Sequence, residues 1–257
     1  MKKLLSLGLE KIFTISYCFR DEPSSIHHRS QFLMLEWYRA NSRYEQIMDD
    51  CQDLLNFSLK RMQRRGIAVR KGLGKIHLEK KTVQEIFMEF LHFDILNFLD
   101  AQSLAGKIAK DFPDVPLPVN TKTLEWDDLY FLLFLNKIEP NLARHPFLLL
   151  YEFPCHLAAL STLKKNDPRV AERFEIYAFG IELCNCFNEL CDLDAQKMRL
   201  DLERRQKERL YGYSLPTPHV LYDALKRGLA PSAGIAMGIE RLHMALTDTA
   251  NPFWTWP

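Results

Sequence analysis

Two stretches near the start of the chain alternate apolar and polar residues with period two, and a polar loop separates them. In the first, Phe13, Ile15, Tyr17 and Phe19 alternate with Thr14, Ser16, Cys18 and Arg20. In the second, Phe32, Met34, Glu36 and Tyr38 alternate with Leu33, Leu35 and Trp37. Period two sends successive side chains to opposite faces of a strand, so the pattern predicts two antiparallel strands across residues 11–39, the first with its apolar face buried. A Glu in mid-strand beside aromatics is costly to bury without a partner, which marks Glu36 for attention.

The rest of the chain divides by pattern. Residues 44–145 read as mostly helical: Ile47, Met48, Cys51, Leu54, Leu55, Leu59 and Met62 fall on one helical face, and further helices are expected near 82–99 and 125–138. Asp111 to Pro118 is a proline-rich connector. From 146 onward strands return, at Phe147–Phe153 and Glu172–Tyr177, followed by a charged, solvated helix from Asp192 to Arg209. The opening Met1-Lys-Lys-Leu-Leu reads as a short helix, because its apolar part ends at once in Glu10 and Lys11 with no small-residue cleavage site.

Composition excludes several classes. At 47% hydrophobic and 26% charged residues the chain has the make-up of a folded protein, not a disordered one. Lys plus Arg number 34 against 33 for Asp plus Glu, so there is no basic excess for a large phosphate-tracking surface. No apolar run approaches the roughly 18 to 20 residues of a membrane span. The six cysteines read as reduced thiols and the location as cytoplasmic.

Three constellations have the residue types for chemistry. In and around the polar loop lie Arg20, Asp21, Glu22, His28 and Arg29. The planar fork of arginine suits phosphate, Phe32 suits stacking on a base, and Glu36 with Tyr38 suits an ammonium group; the plainer reading is a surface hairpin with solvated charges. The second constellation is Gly180 to Glu189. A helix would align Glu182, Asn185 and Glu189; the alternative is a strand with a bulge or turn near Asn185, then a helix carrying Glu189. Two acids and an amide suit a Mg²⁺–phosphate site or an amine-bearing substrate. Cys184, Cys186 and Cys191 match no common zinc spacing and read as small buried hydrophobes. The third is Ser232 to Arg241, where Gly234, Ala236 and Gly238 alternate with Ile235, Met237 and Ile239. As a strand it has one bare face on which a flat ligand can lie, and Arg241 falls in the first turn of the next helix, where anions are favoured.

Taken together, the segments resemble the catalytic domain of a class II aminoacyl-tRNA synthetase. Phe19-Arg-Asp-Glu22 through Phe32–Arg39 resembles that class's second motif, and Gly234-Ile-Ala-Met-Gly-Ile-Glu-Arg241 its third, in the right order and about 200 residues apart. Within the class the lysyl branch fits best, and within that branch the paralogues that modify elongation factor P. Their pattern is echoed in Met34–Arg39, Arg169–Glu175 and Gly180–Leu190. Ala236, where lysine-tRNA ligases usually have Gly, favours the same sub-branch.

The resemblance implies an α+β fold, an antiparallel active-site sheet flanked by helices, as one catalytic domain over 1–257 with a mostly helical insertion at about 44–145. It implies an ATP-dependent ligase that forms an adenylate with ATP and Mg²⁺. The substrate is expected to be lysine or β-lysine, the acceptor a lysine of elongation factor P rather than tRNA, and a homodimer is a further expectation. Arg20 would hold the α-phosphate and Arg241 the γ-phosphate, both catalytic. Asp21, Glu22, His28 and Arg29 would lie along the nucleotide and Phe32 on adenine. Glu182, the metal ligand, and the Leu183 backbone would serve ATP and Mg²⁺, and Gly238 would floor the adenosine. Glu36, Tyr38, Asn185, Glu189 and Ala236 would bind the amino acid. The family's first motif, which builds its dimer interface, and a Thr-Ser-Pro-Glu-like segment are expected before Met1, so the chain reads as an N-terminally truncated catalytic domain. A catalytically impaired nucleotide-binding paralogue and a lysine-tRNA ligase fragment are the alternative functions. Arg29 stands in place of a usual Asn, Gln31 of Glu, Asn188 of His and Cys186 of Gly, the last expected to crowd the substrate pocket.

Overall fold

A computed structural model describes residues 1–20, 29–120 and 124–249. The two alternating segments form strands β1 (Lys11–Phe19) and β2 (Gln31–Ala40), paired antiparallel with Ile15 opposite Leu35. They begin a sheet that continues through β8 (Ser232–Gly238), β7 (Ile181–Asn188), β6 (Asp167–Ala178), β4 (Phe147–Pro154) and β3 (Glu79–Thr82), in the order β1-β2-β8-β7-β6-β4-β3. The short β5 (Leu163–Lys164) pairs with β6. Every pairing is antiparallel except β3 with β4.

Helices fill in as their signals require. Helix α1 is Lys2–Leu5. Helix α2 (Tyr44–Arg64) buries Ile47, Met48, Cys51, Leu55 and Leu59, three to four residues apart, and the Gln46 side chain accepts from the Arg43 N–H at its start. Residues 82–99 hold α3 (Val83–Leu91), capped reciprocally by Thr82 and Glu85, and a short 3-10 turn at Ile95–Asn97. Helices α4 (Ala101–Asp111) and α5 (Trp126–Leu133) complete this block. Among the described residues β3 is this block's one strand: Glu79–Thr82 carries polar residues only, which gives no sequence signal, and the strand pairs with the edge of β4. Helix α6 (Leu193–Tyr211) starts on an Asp192 cap and ends at Gly212, where φ is 73°. Helices α7 (His219–Arg227) and α8 (Ile239–Thr247) follow. Among the described residues no helix is long and apolar enough to cross a membrane.

Two cores lie on opposite faces of the sheet. On one, α2 and α8 pack against Ile235 and Met237 of β8, Cys184 and Cys186 of β7, and Phe174 and Ile176 of β6. On the other, α3, α4 and α5 pack against Leu148 and Leu150 of β4 and Tyr177 of β6. This second layer stops at β6; Leu5, Leu225 and Leu229 cover Tyr38 and Ala40 at one end of β2, and the rest of the same face across β7, β8 and β2 is left open.

The expected burial of β1 is overturned. Phe13, Ile15, Tyr17 and Phe19 are 74%, 57%, 63% and 73% exposed. Their partners across the ladder, Trp37, Leu35 and Leu33, share their face, but the helical layer sits over β2, β8, β7 and β6, and β1 is the sheet's edge. The alternation correctly specifies a strand; whether its apolar face is covered depends on which elements reach the edge.

Candidate functional site

Register keeps one set of side chains in phase across the open face. Glu36 lies opposite Ala236, and Ala236 opposite Asn185; Met34 lies opposite Gly238, and Tyr38 opposite Gly234. Asn185 in turn faces Glu175 across the β6–β7 ladder. A regular strand would turn Glu182 away from Asn185. The ladder, however, pairs Ile176 with Cys184 and Tyr177 with Glu182, so Leu183 is an extra residue, a bulge that shifts the phase by one. Glu182 therefore joins Asn185 and Phe187 on the open face. The helical alternative for this segment falls, and the bulge is at Leu183 rather than near Asn185. Glu189 follows the strand, in an isolated bridge to Ser161 instead of on a helix.

Over this face lies a cavity of about 180 Å³. Arg20 and Arg29 flank one side and Phe32 stands beside them, the Arg20 guanidinium 5.5 Å from the Phe32 ring centre. The floor includes Ala236, Gly238, Leu183 and Asn185. Arg241 closes the far side, donating from Nη1 to the Glu182 carbonyl at 2.9 Å and lying 3.4 Å from Glu182 Oε2. Its helix is pinned to β2 by Glu240, whose two carboxylate oxygens accept from the Leu33 N–H at 2.9 and 3.1 Å. Residues 20 and 241 thus converge because β8 pairs with β2 and helix α8 begins directly at the strand's end. Asp21, Glu22 and His28 lie outside the described residues.

The Glu182 carboxyl is pushed up to about 7, first by burial and then by Glu175; Arg241, Arg173 and Arg20 pull it back. The side chain still opens to the cavity, at 40% exposure. Behind it runs a network the sequence reading missed. Arg173 donates to Asn185 Oδ1 at 3.1 Å and to Glu175 Oε1 at 2.5 Å, and the Tyr177 hydroxyl donates to Glu175 Oε2 at 2.6 Å. The available signal was the alternation Arg173, Glu175, Tyr177 inside a strand of otherwise apolar residues: polar groups at one phase of a buried strand have a reason to be there.

Of the five residues expected at the amino acid, Asn185 and Ala236 line the cavity. Glu36, Tyr38 and Glu189 do not line it. The bare strip expected over β8 is bare only at Ala236 and Gly238, because the Tyr38 ring lies on Gly234, where an added Cβ would be 2.0 Å from Tyr38 Cε1. Glu189 is 2% exposed, with the Lys2 ammonium 2.5 Å from Oε2. Cys186, expected to crowd the pocket, points the other way, into the core under α2, because it is one residue out of phase with Asn185.

Chemically, the cavity presents three guanidinium groups, one aromatic ring and a floor without bulky side chains. That suits a flat, polyanionic ligand. Comparison with known proteins agrees with the architecture. The tRNA synthetases class II (D, K and N) match over residues 1–251. A protein from Yersinia enterocolitica named elongation factor P–(R)-β-lysine ligase is 34% identical over 244 residues, 95% of this chain and 70% of the relative. Proteins of the same name from Hamiltonella defensa and Pseudoalteromonas translucida are 32% and 33% identical, each over 98% of this chain and 72% of the relative. With the second and third motifs meeting on one open sheet face and a match that runs through nearly the whole chain, this protein belongs to the class II tRNA synthetase family of the D, K and N type.

Proposed function

We propose that the chain is a ligase that activates the carboxylate of lysine or β-lysine with ATP and passes it to a lysine of elongation factor P. Residues 1–257 are read as one catalytic domain with the stretch at about 44–145 inserted. The observation that carries the activity is the convergence of Arg20 and Arg29, from the β1–β2 connection, with Arg241, more than 200 residues on, over the Ala236–Gly238 floor. The names of the relatives support the substrate and the acceptor.

The chemistry needs no enzyme nucleophile. A carboxylate oxygen of the amino acid attacks the α-phosphorus of ATP, the bond to the bridging oxygen breaks, and pyrophosphate leaves. The acceptor amine then attacks the acyl carbon of the mixed anhydride, an amide forms, and AMP leaves with the electron pair. Negative charge grows on the phosphorus oxygens in the first step, and fixed guanidinium groups at Arg20 and Arg241 oppose it without reorganisation. Phe32 offers a stacking face for the base, with Asn185, Glu36 and Tyr38 towards the amino acid. Glu182 is a fitting ligand for Mg²⁺: its carboxylate opens to the cavity, and its repulsion from Glu175 is the kind a divalent cation relieves. When bound there, Mg²⁺ supplies further neutralisation of phosphate charge.

Pyrophosphate exchange driven by lysine or β-lysine tests the reading. Exchange is expected, with Arg241→Ala lowering it by about 100-fold or more. ATP binding without exchange for either amino acid would refute the ligase and leave a nucleotide-binding module; charging of tRNA instead of elongation factor P would overturn the acceptor.

A further inference from the structure

Residues 54–78 hold seven Lys and Arg and no Asp or Glu. The whole chain is only +1, so all the other residues together carry a net charge of −6. Elsewhere cations are interspersed with acids, as on α6, where Arg204 pairs with Asp201 and Glu208. In this stretch Lys60, Arg61, Arg64, Arg65, Lys71 and Lys75 are all exposed, and none has an ion-pair partner among the described residues. Arg70, the seventh, pairs with Asp248 at 2.7 Å.

The fold gathers these charges around the C-terminal ends of α2 and α8. Lys60 with Arg64, and Arg61 with Arg65, stand four apart on α2, so like charges lie side by side, an arrangement that costs an isolated helix stability. The loop after α2 returns along it: Gln52 and Asn56 bond the Ile76 backbone, which sets Lys75 beside the helix. Arg70 crosses to α8, donating to the Ala245 and Met244 carbonyls at 3.2 and 3.3 Å, with its guanidinium 4.0 Å from the Phe179 ring centre. Phe179 precedes Glu182 by three residues, and α8, nine residues and about 13 Å long, carries Arg241 at its other end. The patch thus borders the Arg241–Glu182 end of the cavity. Cations at a helix C-terminus are favoured by its dipole, which accounts for Arg61 and Arg64 but not for Lys71 and Lys75, which lie off the helix.

We propose that this basic patch docks the acceptor protein by an acidic face of its surface and holds it beside the cavity for transfer. The proposal rests on the ligase reading above. An acidic face is drawn to the patch, and the net negative charge of the remaining chain repels it elsewhere, which steers its approach. Phe57, 68% exposed and four residues before Arg61, and Ile67, 45% exposed, add apolar contacts of the kind a protein interface buries within a polar rim. An extended nucleic-acid strand would run off the patch onto surface of its own sign.

The test compares the full chain with a patch variant, Arg61→Gln with Arg64→Gln and Lys71→Gln, and a control of equal charge, Lys110→Gln with Lys165→Gln and Lys226→Gln. Pyrophosphate exchange needs no acceptor and should be the same in all three, which also shows that the variants fold. For transfer to elongation factor P at about 50 mM salt, the patch variant should lose about eightfold in kcat/KM, roughly twofold for each of three exposed ion pairs, and keep kcat at saturating acceptor. The loss should shrink as salt rises towards 1 M, where the screening length is about 3 Å, and the control should match the unaltered chain. An unchanged kcat/KM at low salt, or an equal loss in the control, would overturn the docking and leave the ligase standing. A matching fall in exchange would overturn it too, because the patch would then act on activation. If the unaltered chain shows no exchange, the proposed activity fails, and calorimetric binding of elongation factor P decides the docking. Weaker binding by the patch variant upholds it; equal binding, or none by the unaltered chain, overturns it. Loss of binding to a single-stranded RNA 12-mer or to vesicles of anionic phospholipid, with elongation factor P unaffected, would give the patch to that partner instead.

Discussion

Gly234→Ala isolates a single contact, and its sign depends on one neighbouring ring. The added Cβ would stand 2.0, 2.4 and 2.5 Å from Tyr38 Cε1, Cδ1 and Cζ. Ordinary carbon contacts lie near 3.5 Å or beyond, so the ring has to retreat by about 1.5 Å. The space behind it is taken, because Tyr38 packs on the cluster of Leu5, Leu225 and Leu229. Overpacking of this kind costs about 1–3 kcal/mol, and we expect about 2 kcal/mol in urea denaturation, at unchanged m. Gly234 itself sits in a strand without a positive φ, so Ala is otherwise acceptable there. In a Tyr38→Ala background the same change should therefore be neutral or stabilising by about 0.5 kcal/mol. A double-mutant cycle measures the difference. A cost within about 0.5 kcal/mol in the parent, or an equal cost in both backgrounds, would refute the stacking of Tyr38 on Gly234.

Other predictions rest on single groups. Glu182 binds its proton more tightly folded, at about 7, than unfolded, at 4.5. The folded state holds a proton the unfolded state has released between those values, so stability falls as pH rises through that window and levels above it. With the side chain 40% exposed, we expect about 1–2 kcal/mol, and Glu182→Gln, measured at about pH 5 and 8, should abolish the slope. Glu172, 5% exposed, accepts from Thr162 Oγ1 at 2.5 Å, Asn188 Nδ2 at 2.8 Å and the Arg43 guanidinium. Glu172→Ala should cost about 1–2 kcal/mol, because Thr162 and Asn188 keep their bonds to each other and Arg43 is half exposed, and an unchanged stability would contradict that network. Phe13→Lys and Phe19→Lys, on the exposed face of β1, should each change the thermal stability of the chain by less than about 0.5 kcal/mol.

Local pattern determined a great deal about this protein. Alternation at 13–20 and 32–39 is a property of neighbouring residues, and it fixed both strands and which residues of β2 share a face. The Asp192 cap and Gly212 bound α6 for equally local reasons. The two motif arginines were legible through resemblance, and the structure brings them to one cavity. Other features depended on elements far apart in the chain. Whether the aromatic face of β1 is covered was decided by where α2 and α8 stop. The phase that turns Glu182 toward Asn185 was decided by one extra residue in the β6–β7 ladder, which only the partner strand reveals. That Tyr38 lies on Gly234, and that Lys2 meets Glu189 across 187 residues of chain, follows from packing between segments with no shared periodicity. Periodicity tells a side chain which way to point; what it meets there is set by the tertiary structure.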